Sequence, residues 1–304
     1  MQAIFDYVPK AIEQELKNVS RHLSFQEIEE IRFRVGRPIE ITANRKTVFL
    51  PYLLSREEAE QIMEKLSKHS FYTLEEELKR GYITIEGGHR VGLAGRVILE
   101  EGRVKGIRDV SSFNIRIARE KIGVAEAFVP FLYESRWHHT MIIGPPQSGK
   151  TTFLRDLARI ISSGVKKHNI PPYKVGIVDE RSEIAGSVNG IPQLTFGPRV
   201  DVLDACPKAE GMMMMIRSMS PDVLIVDEIG RQEDTAAILE AVHAGIRLIM
   251  TTHGESLEEI QQRPSLQPIM NQDIFTRFIE LTRKKIVTMK NQYGEELMRK
   301  VSVP

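Results

Sequence analysis

Short apolar runs punctuate the second half of the chain, and each run ends directly at glycine or polar residues. The runs cover residues 140–143, 174–178, 223–226 and 248–250. Between them, apolar residues recur at helical spacing, as in the set Phe153, Leu154, Leu157 and Ile160. Near-continuous apolar strands that alternate with helices predict a parallel sheet covered by helices on both faces. The ligands of such a sheet bind where its strands end.

The first half of the chain has a mixed pattern. One amphipathic N-terminal helix is predicted by the helical spacing of Ile4, Val8, Ile12, Leu16 and Val19. Alternating or apolar stretches predict strands near residues 30–35, 38–42, 47–50, 82–86, 90–99 and 110–117. A further helix is predicted to follow the capping-box pair Ser55 and Glu58, and another covers residues 73–79.

These two patterns predict two domains. A smaller N-terminal α/β domain covers residues 1–122, and the parallel-sheet domain covers residues 137–304. Residues 123–136 contain Gly123 and Pro130 and are predicted to be a linker.

Composition narrows the class of protein without identifying a function. The 304 residues carry a formal net charge of +1, which gives no overall electrostatic signature for binding nucleic acid or an anionic membrane. The single cysteine, Cys206, excludes an intrachain disulfide and suits a reducing cytoplasm. No apolar run approaches the roughly 20 residues that span a bilayer, and residues 1–20 lack the pattern of a signal peptide. We therefore expect a cytoplasmic protein.

The first apolar run leads into a glycine-bounded loop of a recognisable chemical type. Residues 144–151 fit the pattern G-x-x-x-x-G-K-[ST] at every fixed position, between a predicted strand and a predicted helix. The N–H groups of such a loop and the N-terminus of the following helix bind phosphate oxygens. The predicted nucleotide-binding residues are Gly144, Pro145, Pro146, Gln147, Ser148, Gly149, Lys150, Thr151 and Thr152. A glycine turn without function is the alternative, but it does not explain the order of strand, loop and helix.

The loop and the alternating strands together predict a P-loop NTPase fold, a RecA-like (ASCE) parallel sheet flanked by helices. In such proteins the lysine, here Lys150, reaches the β- and γ-phosphates, and the hydroxyl of Thr151 binds Mg²⁺. The acidic pair Asp227 and Glu228 ends the third run. Asp227 is predicted to hold Mg²⁺ through water, and Glu228 to act as the base that polarises the attacking water. A solvated strand end is the alternative for this pair.

For other charged residues near the predicted strand ends, the sequence allows more than one role. His253 follows the fourth run and is predicted to sense phosphate or hold the attacking water if this strand lies between the other two, although a lone histidine is usually structural. Glu180 follows the second run and would bind Mg²⁺ or water, or cap the next segment. Arg217, Arg231 and Arg199 are candidates for stabilising charge on the γ-phosphate, and the sequence does not choose among them.

The order of these motifs resembles the type II/type IV secretion ATPase superfamily. The resemblance rests on the loop at 144–151, the acidic end of the second run, the stretch at 217–229 and Thr-Thr-His-Gly at 251–254. These correspond to the Walker A motif, Asp box, Walker B motif and His box of that superfamily. Over nearly its full length, including residues 111–117 and 204–211, the chain is similar to the sporulation members of the superfamily.

The resemblance implies a function as well as a fold. It implies a cytoplasmic, Mg²⁺-dependent ATPase in the mother cell of an endospore-forming bacterium, assembled as a homo-oligomeric ring, expected to be a hexamer. Such a ring would be recruited to the membrane by the channel proteins of a sporulation secretion complex and would energise that channel, with no nucleic acid partner. In secretion ATPases, arginines of the amino-terminal domain reach the nucleotide, and by motif position that residue is Arg116 here, ahead of Arg108 and Arg119.

The chain departs from the superfamily in its Walker B motif, which leaves two alternatives open. Asp227 stands where glycine is common, and Gly230 displaces Arg231 from the position next to the Glu-Ile pair. Asp-Glu-Ile-Gly-Arg resembles the Walker B motif of DNA mismatch-repair ATPases, whose signature loop and DNA-clamp segments have no counterpart here. The alternatives are a motor ATPase stimulated by nucleic acid and an assembly factor that uses ATP without hydrolysing it.

Overall fold

The computed structural model describes residues 2–19, 24–44, 46–67 and 75–301. The chain divides into two compact units, Met1–Arg119 and Glu120–Pro304. This division falls slightly before residue 122, where the sequence predicts the end of the first domain.

The first unit is built on a six-stranded antiparallel sheet. Its strands are β1 (Ile28–Arg34), β2 (Pro38–Ala43), β3 (Lys46–Leu53), β4 (Tyr82–Ile85), β5 (His89–Glu100) and β6 (Arg103–Arg116). Their order across the sheet is β3-β2-β1-β6-β5-β4. In β2 the apolar residues Ile39 and Ile41 are buried, whereas Glu40 between them is half-buried. This two-residue period directs one face of the sheet into the core of the unit.

The helices of the first unit are α1 (Gln2–Phe5), α2 (Lys10–Val19), α3 (Arg56–Leu66) and α4 (Glu75–Arg80), with 3₁₀ turns at Phe25–Glu27 and Glu86–Gly88. The prediction of a single N-terminal helix is wrong. The helix is interrupted before Pro9, because the proline ring disfavours helical geometry in the preceding residue. The capping box is confirmed, since Ser55 Oγ accepts from the Glu58 N–H at 3.1 Å and Glu58 accepts from the Ser55 N–H at 2.9 Å. The helix predicted over 73–79 is described only from Glu75.

The second unit contains an eight-stranded sheet. Its strands are β7 (Thr140–Gly144), β8 (Val175–Asp179), β9 (Val200–Asp204), β10 (Val223–Val226), β11 (Arg247–His253), β12 (Arg277–Leu281), β13 (Ile286–Asn291) and β14 (Glu296–Val301). The order is β14-β13-β12-β7-β11-β10-β8-β9, and β12 through β9 in this order are parallel. Strand β11 therefore lies between β7 and β10, which is the arrangement that the prediction for His253 requires. Strands β9 and β12–β14 extend the sheet beyond the four predicted runs.

Helices accompany the second sheet, as predicted for a parallel sheet with both faces covered. They are α5 (Val129–Leu132), α6 (Lys150–Ser163), α7 (Lys208–Met219), α8 (Gln232–His243), α9 (Leu257–Gln261) and α10 (Gln267–Met270), with 3₁₀ turns at Glu126–Phe128 and Lys166–His168. Two buried apolar groups contain alternate residues of the same strand: Ile142 belongs to one and Met141 and Ile143 to the other. No helix among the described residues is long and apolar enough to cross a membrane.

Residues 123–136, predicted as a linker, form part of the second unit. Phe128, Val129 and Leu132 are buried in its core beside Phe153. The carboxylate of Asp156 on α6 accepts the N–H groups at positions 123 and 125 at 3.1 and 2.8 Å. The segment is thus fixed by apolar packing and by a buried carboxylate.

We expect acid to destabilise the first unit through His89. This side chain is 8% exposed, its Nδ1 accepts from the Ala118 N–H at 3.0 Å, and burial lowers its pKa from 6.5 to about 4. Between these pH values the unfolded chain binds more protons, so this contribution to stability is complete above pH 6.5 and falls as the pH drops toward 4. Between pH 7 and pH 4.5 the loss amounts to roughly 2 kcal/mol, which denaturant unfolding at these two pH values would measure.

The matched substitutions His89→Asn and His243→Asn separate this effect from general acid destabilisation. His243 is an exposed residue at the end of α8. The His89→Asn protein should lose less stability between the two pH values than the His243→Asn protein. Equal losses in the two variants would contradict the role given to His89.

Candidate functional site

The predicted phosphate loop curls around the side chain of Lys150. Strand β7 ends at Gly144, helix α6 begins at Lys150, and Gln147 and Gly149 between them have φ values of 64° and 103°. Lys150 Nζ donates to the carbonyl oxygens of Gly144 and Pro145 at 2.8 and 3.1 Å. Burial lowers the pKa of Lys150, while the nearby carboxylates of the acidic pair oppose that shift. The loop is therefore folded around a lysine whose charge is satisfied by main-chain carbonyl groups.

A cavity of about 560 Å³ opens beside the loop, within the range of small-ligand sites. It is lined by Pro146, Gln147, Gly149, Lys150, Thr151, Thr152, Arg181, Glu183, Glu228, His253 and Lys285. Three lysine or arginine side chains and the N-terminus of a 14-residue helix meet here. This lining suits a ligand with several phosphate groups, because helix N-termini and lysine or arginine side chains stabilise anions.

Hard oxygen atoms suited to Mg²⁺ lie beside this cavity. Thr151 Oγ1 donates to the Asp227 carboxylate at 2.9 Å, and the other oxygen of that carboxylate accepts from the hydroxyl of Thr251. The described residues contain no group of three or more His, Cys, Asp or Glu side chains placed to hold a metal. One hydroxyl and one carboxylate nevertheless fit Mg²⁺, which is usually held by one or two carboxylates together with water and phosphate oxygens.

Glu228 lies at the centre of a charged group at the end of β10. Its carboxylate oxygens lie 2.6 Å from Arg181 Nη1 and 2.9 Å from His253 Nε2, as ion-pair contacts. Its own N–H donates to Thr251 Oγ1 at 2.8 Å. Because Lys150 Nζ lies 3.2 Å from His253 Nδ1, these contacts favour the tautomer in which Nδ1 accepts and Nε2 donates. His253 therefore connects the loop lysine to the predicted catalytic base.

Arg181 is a site residue that the sequence interpretation did not single out. It lies in a loop that follows β8, where the Asp179 carboxylate accepts the N–H groups of Glu183, Ile184 and Ala185 at 2.8 to 3.0 Å. Burial raises the pKa of Asp179 to about 6, although these N–H groups lower it. These hydrogen bonds hold the loop in place, and from this loop the Arg181 side chain reaches Glu228. The feature of the sequence that could have indicated this role is the position of the arginine within the otherwise acidic stretch 179–183.

Several predicted residues do not line this cavity. Glu180 forms an ion pair with Lys208. Arg217 lines a separate groove on α7 and α8, and the backbone N–H of Arg231 donates to Asp234 at the start of α8. Arg199 donates to the carbonyl of residue 172. Arg116 lies in the first unit at the exposed end of β6, so its role remains a prediction.

Comparison with known proteins identifies the family. Residues 2–297 match the family described as sporulation stage III, protein AA. The chain belongs to this family. It is 57% identical over 285 residues to stage III sporulation protein AA of Bacillus subtilis (strain 168), a match that covers 94% of this chain and 92% of the relative. The predicted similarity to sporulation proteins is confirmed.

Solved structures confirm the predicted fold class. The ATPase DotB of Legionella pneumophila superposes with a TM-score of 0.59 and 16% identity, covering 90% of this chain and 76% of that one. The pilus retraction motor PilT, solved with bound ADP, gives a TM-score of 0.57 and 16% identity, covering 89% and 76% of the two chains. The chain therefore shares the fold of these two proteins.

The close packing of Gly144 leads to a prediction about the loop. A Cβ atom at this position would lie 2.6 Å from Ser148 Oγ and 2.7 Å from the Leu281 carbonyl oxygen. The Gly144→Ala substitution should therefore lower the free energy of unfolding by about 1–3 kcal/mol, because both neighbours must move. Denaturant unfolding measures this loss.

Gly230→Ala is the matched control. A Cβ atom at Gly230 meets no other atom within 4 Å, so this variant should unfold close to the wild-type midpoint. Equal destabilisation of the two variants would contradict the steric account of Gly144.

Proposed function

We propose that this protein is an ATP hydrolase of the secretion-ATPase type. One arrangement carries the proposal: Glu228 lines the same cavity as Lys150 and Thr151, and Asp227 is hydrogen-bonded to Thr151. A phosphate-binding loop, oxygen atoms for Mg²⁺ and a carboxylate able to accept a proton from water are the groups that ATP hydrolysis requires.

Each residue then has a separate role. The loop N–H groups and Lys150 bind the phosphate oxygens of ATP, while Thr151 and Asp227 would hold Mg²⁺. When bound, Mg²⁺ neutralises phosphate charge. Glu228 orients the attacking water and accepts its proton. His253 holds the Glu228 carboxylate in place, as its contact of 2.9 Å indicates.

Arg181 supplies the positive charge that stabilises the γ-phosphate, a role for which the sequence alone suggests other arginines. Its guanidinium group lines the cavity and forms an ion pair with Glu228 at 2.6 Å. In this role it moves from Glu228 toward the γ-phosphate, which frees a carboxylate oxygen for water. Its 56% exposed side chain leaves room for that movement.

The biological part of the proposal rests on the family. Membership in a sporulation stage III family and a fold shared with a pilus motor support a role in powering a membrane machine. We propose a homo-oligomeric ring, expected to be a hexamer, in the cytoplasm of the mother cell. Channel proteins would recruit it to the membrane, and ATP turnover would energise a channel between mother cell and forespore.

Two substitutions test hydrolysis. Glu228→Gln should leave MgATP binding near the wild-type value and reduce phosphate release by a factor of about 10² or more, because the amide cannot accept the proton. Lys150→Ala should lose MgATP binding itself. Titration calorimetry and a phosphate-release assay measure the two quantities, with the exposed Glu233→Gln as a control. Full turnover in the Glu228→Gln protein would disprove the assignment.

The Glu228→Gln protein also tests the cellular role. Held with ATP bound, it should sediment as a closed oligomer and co-purify with channel proteins from membranes of sporulating cells. Recovery of nucleic acid instead, with hydrolysis that DNA or RNA stimulates and salt suppresses, would favour the motor alternative. A wild-type oligomer that binds ATP but releases no phosphate would favour the assembly-factor alternative.

A further inference from the structure

A second lysine, Lys285, also contacts the backbone of the phosphate loop. Lys285 lies in the turn between β12 and β13, and its Nζ donates to the carbonyl oxygens of Gln147 and Ser148 at 3.1 and 3.2 Å. A Cβ atom built on Gly149 would lie 3.5 Å from this Nζ. The ammonium group is therefore seated directly against the backbone of the loop.

The turn that carries Lys285 has a constrained conformation. Lys285 has φ +61°, its N–H donates to the Thr282 carbonyl at 3.0 Å, and the following N–H donates to Thr282 Oγ1 at 3.2 Å. A residue with a side chain is disfavoured in this left-handed region, where glycine is usual. The turn thus holds a lysine, at some conformational cost, at the position from which its side chain reaches the loop.

Because the peptide unit is rigid, contacts with its carbonyl group also fix the direction of its N–H group, which can bind phosphate. The described peptide bonds are trans, so the C=O and N–H of one peptide unit point in opposite directions. Lys285 fixes the carbonyl groups of Gln147 and Ser148, which also fixes the N–H groups of Ser148 and Gly149 on the opposite edge. The Ser148 N–H donates a long hydrogen bond of 3.3 Å to the Pro145 carbonyl within the loop.

We propose that Lys285 is a positioning residue that holds two N–H groups of the loop toward the phosphates of the nucleotide. This inference rests on the proposed nucleotide binding. Lys150 holds the carbonyl groups of Gly144 and Pro145, and Lys285 holds the next two along the loop, so the loop is oriented before a ligand enters. Lys285 acts on affinity through the loop and takes no part in the proton transfer at Glu228.

The substitution Lys285→Met tests this role, because it keeps the aliphatic chain and removes the donor. We expect the Kd for MgADP and the KM for MgATP to rise about tenfold, since exposed charged hydrogen bonds contribute less than buried ones. The kcat at saturating MgATP should stay within about twofold of wild type. The thermal midpoint of the nucleotide-free protein should change little, and Lys285→Arg should recover most of the affinity.

Lys284→Met is the matched control, because it removes the same charge from the same exposed turn outside the cavity lining. Equal Kd values for the Lys284→Met and Lys285→Met proteins would overturn the proposal, as would a loss of kcat at unchanged Kd. If the methionine variant does not fold, Lys285→Gln takes its place. Wild-type protein that binds neither MgADP nor MgATP would instead overturn the proposed function, and this inference with it.

Discussion

The hydrogen bonds of the Asp227 carboxylate connect three segments that are far apart in the sequence. One oxygen accepts from Thr151 at the start of α6, and the other accepts from Thr251 on β11. The Thr251 hydroxyl also receives the N–H of Glu228. Helix α6, the acidic end of β10 and strand β11 between them are thus held in fixed relative positions. Displacement of any one of them would separate the phosphate-binding groups from the proposed catalytic carboxylate.

This arrangement depends on the order of strands in the sheet. Because β11 lies between β7 and β10, its last residues can contact the loop on one side and the acidic pair on the other. His253 uses this position to approach both Lys150 and Glu228, at 3.2 and 2.9 Å. The charged groups of the site are thus paired internally: Glu228 lies against Arg181, and Lys150 donates hydrogen bonds to backbone carbonyl oxygens. An entering polyanion would compete with these internal contacts, so ligand binding and rearrangement of the site are coupled.

Local patterns predicted the parts of the site whose chemistry is contiguous in sequence. The loop and the acidic pair each follow an apolar run directly in the sequence, whereas the place of β11 in the sheet was only a condition of the prediction for His253. Arg181 and Lys285 could not be found this way, because their roles depend on where a loop anchored by Asp179 and a distant hairpin turn come to lie. The prediction of a linker over residues 123–136 was wrong, and the error has a physical cause. Pro130 lies in the first turn of α5, where proline is compatible with a helix and does not mark a break.

The left-handed backbone conformation of Glu228 brings both carboxylates of the acidic pair to the same site. In a regular strand, neighbouring side chains point to opposite faces, so Asp227 and Glu228 would not serve one cleft. With φ at +53°, Glu228 leaves that alternation, and its carboxylate reaches Arg181 and His253 while Asp227 reaches Thr151. Glycine would adopt this conformation with less strain. Folding stability and the proposed hydrolysis therefore make opposite demands on one residue: glycine at this position would relieve backbone strain but would remove the proposed catalytic base.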